Sequence, residues 1–478
     1  MHFDRNDTNQ PLYCQVSDYI ESLIRTGTLR PGDQVPSIRK LSRQLEVSIN
    51  TVKQAYGHLE DHRLVEARPQ AGYFVQARSL ETPGLPQIDR AAIHPTEVTL
   101  SELSQMILRD TRNPELLQLG VNLPDPESLP VDQLRRMLAS ETRRLGNDCV
   151  AYALDGGYPR LRKQIAKRML AANCTLDPEQ IVITTGCMQA IFLALKATCQ
   201  RGDVVAVETP LFFIFLQLIE SLGLKALEIP SSPDDGIHLP TLRYAIEQTP
   251  VKACLVVTNF STPLGSCMPT AHKQELVALL DRHGIPLIED DIHGDLSFSD
   301  TRPTVAKAFD RNENVLLCSS FSKTLAPGFR VGWIAPGRYG REVNHLKTLV
   351  DIASPMPTQM AIAEFLVNGG YERHLRALRR RYAVKVAQMG DAIARHFPPG
   401  TKVTRPRGGF FLWVEMPEQV DAIVLYARAL EHGMTIAPGP LFSASGKFSN
   451  CIRLNAAFWS ERIESYIKTL GRLAAEQL

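Results

Sequence analysis

The chain has 478 residues, 44% hydrophobic and 22% charged, with 53 Lys/Arg against 51 Asp/Glu. At roughly 100–200 residues per domain, this length predicts two to four domains, and the composition excludes a mostly disordered chain. A net charge of +2 excludes a global field drawing the protein onto nucleic acid or membrane, so any nucleic-acid site must be local.

The longest strongly apolar stretch, Leu211–Ile219, contains Gln217 and falls far short of the ~20 residues of a membrane span. Met1–Asp7 has no basic start and no apolar run, which predicts no signal peptide. The 9 cysteines are scattered without a C-x-x-C. That pattern suits reduced thiols in the cytoplasm and neither a disulfide framework nor a metal site.

In chain order the pattern gives three zones: 1–77, a linker over 78–98 around Glu81-Thr82-Pro83-Gly84-Leu85-Pro86, and 99–478. In the first zone Leu12, Val16, Tyr19, Ile20, Leu23 and Ile24 recur at helical spacing. Pro31-Gly32-Asp33 breaks the chain. Ser37 can cap a short helix with Ile38, Leu41 and Leu45 inward. After a tight turn at Glu46-Val47, Ser48 can cap a second with Val52, Ala55, Tyr56 and Leu59 inward. Leu64–Ala67 and Gly72–Val75 read as two strands joined by Arg68-Pro69-Gln70-Ala71. Helix, helix, turn, helix and β-ribbon predict an α+β winged helix-turn-helix.

Arg39, Lys40, Arg43 and Lys53 fall on the outward faces of the two short helices, opposed only by Glu46. Residues 1–78 hold ten Lys/Arg and nine Asp/Glu, so the positive charge is concentrated at the helix-turn-helix. A helix beginning at Ser48 would present Asn50, Lys53 and Gln54 to a major groove. Arg68 and the tip at Gln70-Ala71-Gly72 suit a wing near phosphate or minor groove. Pattern alone also fits a trihelical unit used for protein contacts. The strings Pro11-Leu12-Tyr13, Gly27–Arg39 and Gly72-Tyr73-Phe74-Val75 resemble the head of the GntR family. That resemblance implies that Arg39, Ser48, Asn50 and Lys53 face DNA, with Gly72 in the wing. Ile49 stands where the family often has Arg, so the usual base or phosphate contact there is not expected and the operator preference should differ.

From about residue 100 the runs Ile181–Thr185, Val204–Val207, Cys254–Val257, Pro286–Glu289, Val315–Cys318 and Val331–Ala335 are mostly separated by helical stretches. This predicts an α/β parallel sheet covered on both faces. About 355–478 should form helices and a smaller α+β subdomain, with strands near Phe410–Glu415 and Cys451–Leu454.

Within Ser320-Phe321-Ser322-Lys323-Thr324-Leu325-Ala326-Pro327-Gly328-Phe329-Arg330 a lysine sits between a strand and a turn. Burial and cationic neighbours would lower its pKa and make it a Schiff-base former, and Arg330 with Ser320 and Ser322 could bind a phosphate. Thr185-Gly186-Cys187-Met188 follows a strand and opens a helix, whose amides can also take phosphate.

The lysine string resembles the pyridoxal-phosphate motif of fold-type I aminotransferases. The resemblance implies that Lys323 carries the cofactor and that Gly186, Cys187 and Met188 lie at its phosphate. It implies that Phe212 stacks on the ring and Asp290 pairs with the ring nitrogen. Arg453 would hold a substrate or effector carboxylate. Tyr152 would reach the phosphate of the partner subunit, which implies a head-to-tail homodimer.

Two positions depart from the family. Thr262 stands where Asn usually precedes the proline, and His293 stands where Tyr usually follows Asp290 by three. Both would contact the cofactor's phenolic oxygen. Met188 also stands where relatives often have Gln. Transamination is therefore expected to be weak or absent.

A GntR-type head joined to an aminotransferase-like body resembles the MocR subfamily of bacterial regulators. That implies a cytoplasmic DNA-binding regulator sensing pyridoxal phosphate or an amino compound that reacts with it. A working aminotransferase with an incidental head is the alternative, and a body without cofactor that only dimerises is a third.

Overall fold

The computed structural model describes all residues except 1–10, 26–27, 30–31, 62–63, 69–70, 76–83, 87–93, 98–101, 111, 154–155 and 369. Most of the expected linker, Pro31, and Pro69 and Gln70 of the expected wing tip lie outside the described residues. The chain divides into two compact units, Met1–Thr82 and Pro83–Leu478.

The first unit consists of α1 (Leu12–Arg25), α2 (Ile38–Gln44), α3 (Ile49–Asp61) and the antiparallel ribbon β1 (Val65–Arg68) and β2 (Gly72–Val75). The two caps read from sequence form. Ser37 Oγ accepts from the Lys40 amide at 3.3 Å and Ser48 Oγ from the Thr51 amide at 3.0 Å. Glu46 takes φ of 52°, making the tight turn between α2 and α3. The core gathers Val16, Ile20, Leu41, Val52, Ala55, Tyr56 and Leu59 with Val65 and Val75 of the ribbon. Leu12, the first of the helically spaced apolar residues, stands at the first position of α1, one turn ahead of Val16, and remains 39% exposed.

In the second unit the strands are β3 (Thr96–Glu97), β4 (Leu117–Gln118), β5 (Val182–Thr184), β6 (Val204–Thr209), β7 (Lys225–Ser232), β8 (Gly236–Ile237), β9 (Val251–Val257), β10 (Leu287–Asp290), β11 (Val315–Ser320) and β12 (Gly332–Ala335). A nine-stranded sheet runs β3-β7-β6-β9-β10-β11-β12-β5, with β8 attached to β7. Its centre, β7 to β11, is parallel. Alternate residues face opposite layers: Val205 and Val207 join the core under helix Cys187–Thr198, while Val204 and Ala206 join the one under Thr270–Arg282.

The expectation of a parallel arrangement fails at β12, which is antiparallel to both β11 and β5. Parallel neighbours need a crossover that usually carries an α-helix, whereas residues 321–331 between β11 and β12 hold only the single 3-10 turn Pro327–Phe329. That connection carries Lys323.

The C-terminal part begins with helices Met356–Val367 and Gly370–His396. It adds β13 (Lys402–Val403), β14 (Phe411–Glu415), β15 (Met434–Thr435), β16 (Ala437–Pro438) and β17 (Cys451–Asn455), with a four-stranded sheet β13-β14-β17-β16. Helices Ala422–Glu431 and Glu461–Ala475 pack into this sheet's core. Among the described residues no helix is long and apolar enough to cross a membrane.

Candidate functional site

The C-terminal ends of the parallel strands and the β11–β12 turn bring side chains around one cavity of about 190 Å³. Cys187, Met188, Phe212, Thr262, Asp290, His293, Ser320, Ser322, Lys323 and Arg330 all line it. This is the usual position for ligands in open α/β sheets.

Lys323 lies three residues past the end of β11 and is 8% exposed. Its Nζ donates to the Asn122 carbonyl at 2.5 Å. Burial, then the nearby Arg453 charge, lowers its pKa to about 7, so a neutral amine is present above that pH. Asp290 ends β10, fully enclosed, and burial raises its pKa to about 7. Its Oδ1 accepts from the Ile292 amide at 2.9 Å and from the Cys187 thiol at 3.3 Å. A cation brought beside it would return it to the ionised form.

Opposite Asp290, Gly186 with φ of 88° opens helix Cys187–Thr198. The first amides of that helix have no partner within it. Arg330 closes the cradle from the β11–β12 turn, donating to the Thr185 carbonyl at 2.9 Å. A Cβ at Gly186 would land on the Arg330 guanidinium, and one at Gly332 on the Gly186 backbone. Both glycines therefore permit the close approach of helix start and arginine. Ser320 Oγ accepts from the Ser322 amide at 3.3 Å. Phe212 precedes helix Phe213–Ser221, edge-on to Phe215 at 5.5 Å.

Arg453, on β17, is fully buried and ringed by Phe411 and Phe442, 4.8 and 5.1 Å from their centroids. It donates to the Gly120 carbonyl and, at 3.4 Å, to Thr262 Oγ1. Among the described residues it has no carboxylate partner. Burial lowers its pKa to about 9, which leaves it charged at neutral pH. His293 is also fully buried, edge-on to Phe410 and Phe411, and burial lowers its pKa to about 3, so the ring is neutral. The Arg453 Nε, both ring nitrogens of His293 and Asn122 Oδ1 are buried without a hydrogen-bond partner among the described residues. Such atoms cost about 1–3 kcal/mol each unless something satisfies them.

Tyr152 does not join this cavity; it is 70% exposed, beyond the turn Gly146–Val150. Asp291, next to Asp290, pairs with Arg302 and accepts from Asn259 Nδ2 at 2.8 Å. The segment Gly120–Leu123 was missed in the sequence. Its carbonyls receive both Arg453 and Lys323, and Asn455 Nδ2 pins it through the Val121 and Leu123 carbonyls at 3.0 and 2.8 Å. The available signal was Gly120, where a Cβ would strike the Ile436 backbone.

In the first unit Arg39, Lys40, Arg43, Ser48, Asn50 and Lys53 are all exposed. Arg68 lies against its own ribbon, 4.5 Å from the Phe74 ring centroid and 2.7 Å from Glu66. Gly72 turns the ribbon with φ of 99°, and Gln34 Nε2 donates to the Ala71 carbonyl at 2.5 Å. Among the described residues no group of His, Cys, Asp and Glu could hold a metal.

Residues 12–75 match the family described as Bacterial regulatory proteins, gntR family, and residues 114–470 match Aminotransferase class I and II. The HTH-type transcriptional regulator YjiR of Escherichia coli (strain K12) is 38% identical over 96% of this chain and 98% of its own length. YdcR of the same organism is 38% identical over 98% and 99%. The 2-aminoadipate transaminase of Thermus thermophilus is 30% identical over 77% of this chain and 92% of its own. Among solved structures, LysN, the alpha-aminoadipate aminotransferase of Thermus thermophilus complexed with N-(5'-phosphopyridoxyl)-L-leucine, superposes with a TM-score of 0.73 at 28% identity. The match covers 80% of this chain and 96% of that one. The kynurenine aminotransferase of Pyrococcus horikoshii gives 0.74 and 28%, with the same coverage.

Proposed function

This chain belongs to the HTH-type transcriptional regulators of the MocR type, and from that premise we propose a cytoplasmic homodimer that binds pyridoxal phosphate in its body and an operator through its two heads. The observation that carries the reading is the convergence of Lys323, Asp290 and Arg330 on one cavity, with the buried Arg453, which has no carboxylate partner among the described residues, bonded to Thr262 of its lining.

The donor set fits the cofactor. When bound, pyridoxal phosphate supplies a carbonyl for an amino compound to condense with and an electron sink for that compound's α-carbon. Lys323 would hold it covalently, its amine neutral above about pH 7. Arg330 and the helix opened by Gly186, with the Cys187 and Met188 amides, would take the phosphate, and the Ser320 and Ser322 hydroxyls stand beside it. Asp290 would face the ring nitrogen and Phe212 the ring. Thr262 and the neutral His293 would stand by the phenolic oxygen. Arg453 would take the carboxylate of an amino-compound effector, which would also satisfy its orphaned Nε. Tyr152 would reach across a head-to-tail dimer to the phosphate site of the partner subunit. Arg39, Ser48, Asn50 and Lys53 would meet DNA, with Arg68 and Gly72 in the wing.

Borohydride reduction of the purified protein followed by peptide mapping tests the central assignment. The adduct should lie on Lys323; an adduct on another lysine, or none, overturns it. A second reading, a working aminotransferase, is favoured by the presence of Asp290, Lys323 and Arg453 together. Preorganised polar contacts are often worth 10²–10³ in rate, so replacement of both phenolate contacts by Thr262 and His293 should hold turnover well below the ordinary roughly 1–10³ s⁻¹. Steady-state assays with common amino donors and keto acids decide it: rates inside that range would establish the second reading.

A further inference from the structure

Ile49 is the first residue of α3 and is 53% exposed. It follows the cap Ser48, precedes Asn50 and shares its helix face with Lys53 four residues on, all three exposed. Single exposed apolar residues are common on protein surfaces; this one is distinguished by its position. It sits at the tip of the helix that the proposed function sends into a major groove, where the N-terminal residues of a recognition helix meet base edges. The first turn of α3 carries no acidic residue, so nothing there repels a phosphate backbone.

We propose that Ile49 reads the C5-methyl of a thymine in each half-site. An isoleucine has no donor or acceptor, so it cannot satisfy the polar edges of guanine, adenine or cytosine. In the major groove the one apolar group a base presents is the thymine methyl. The β-branched side chain holds a preferred rotamer in a helix, so contact costs little side-chain entropy. Asn50, beside it, can accept and donate to an adjacent adenine, which makes an A/T-containing step the natural target of the pair.

This inference rests on the reading of the head as DNA-binding, and its test separates the two. Duplexes are selected from a random-sequence pool with the full-length protein. Each thymine of the selected half-site is then replaced singly by deoxyuridine, which removes only the methyl. At one thymine per half-site the replacement should weaken binding about three- to fivefold, the size expected for one buried methyl. Replacing that thymine by cytosine should weaken it further, and 5-methylcytosine should recover part of the loss. With Ile49→Ala the deoxyuridine penalty should disappear at that position alone. If no duplex is enriched, the DNA-binding reading falls and this inference with it. If duplexes are enriched but no thymine responds to loss of its methyl, or the response survives Ile49→Ala, the head binds DNA and Ile49 does not read it.

Discussion

The body cavity and the outward face of the head use charge in opposite ways. In the body Lys323, Asp290, His293 and Arg453 are buried, and each has its protonation equilibrium displaced by that burial. In the head Arg39, Lys40, Arg43 and Lys53 stand in solvent. Buried charges are expensive and poorly screened, so each is tied to one partner or one reaction. Exposed charges are cheap, screened by salt and nearly additive. The body should therefore respond to single substitutions sharply and to pH, and the head gradually and to ionic strength.

Substitution at Lys323 gives the largest contrast. Lys323→Ala should abolish the borohydride-reducible adduct altogether while operator affinity without effector stays within about threefold of wild type. Loss of DNA binding in this variant would break the separation between the regions.

The next effect is at Arg453. Losing one partner of a charged contact costs about 1.5–3 kcal/mol, so Arg453→Ala should weaken a carboxylate-bearing effector roughly ten- to a hundredfold and leave cofactor loading intact. An effector without an acid group, or an unchanged affinity, would refute this. The same variant carries a pH signature. Lys323 has a lowered pKa, so its nucleophilic form is lost as pH falls through about 7, and Arg453 is part of the cause. Removing that positive charge stabilises the protonated amine. The pH at which cofactor attachment reaches half its maximal rate should therefore move upward; no movement would mean that Arg453 does not act on Lys323.

Smaller effects belong to the head. Asn50→Ala should relax discrimination at one base pair per half-site by roughly 1–3 kcal/mol, measured on a single-substitution operator series. Lys53→Ala should weaken all sequences about equally and reduce the salt slope by about one unit. If both variants show the same uniform loss, Asn50 touches backbone and not bases.

The two regions also differed in how legible they were. In the head, local rules sufficed: caps at Ser37 and Ser48 and the inward set Val52, Ala55, Tyr56 and Leu59 follow from helix period and N-cap chemistry. In the body the strand-turn-strand around Lys323 and the strand before Asp290 were readable because short apolar runs bracket them. β7 was not, since its sequence KALEIPSS contains Glu228, Pro230 and two serines. Glu228 is tolerated inside because the Ala444 amide at 2.8 Å and the hydroxyls of Ser443 and Ser445, more than 200 residues away, donate to it. The role of Gly120–Leu123 was hidden for a different reason: it acts through backbone carbonyls, which every residue type carries. The antiparallel entry into β12 follows from a connection that holds one turn and no crossover helix, which the spacing of short apolar runs does not encode.

Amine capture in the body and operator binding in the head should be linked, and linkage is reciprocal. An effector that changes operator affinity by some factor must have its own affinity changed by the same factor when operator is present. Effector titrations of the full-length protein, read by cofactor absorbance with and without saturating operator, and operator titrations with and without saturating effector, give the two factors independently. They should be equal and differ from one, in the range of about 5–150 typical of allosteric coupling, and both should become one in Lys323→Ala. An effector that binds with full affinity and leaves both factors at one in the wild-type protein would contradict the linkage.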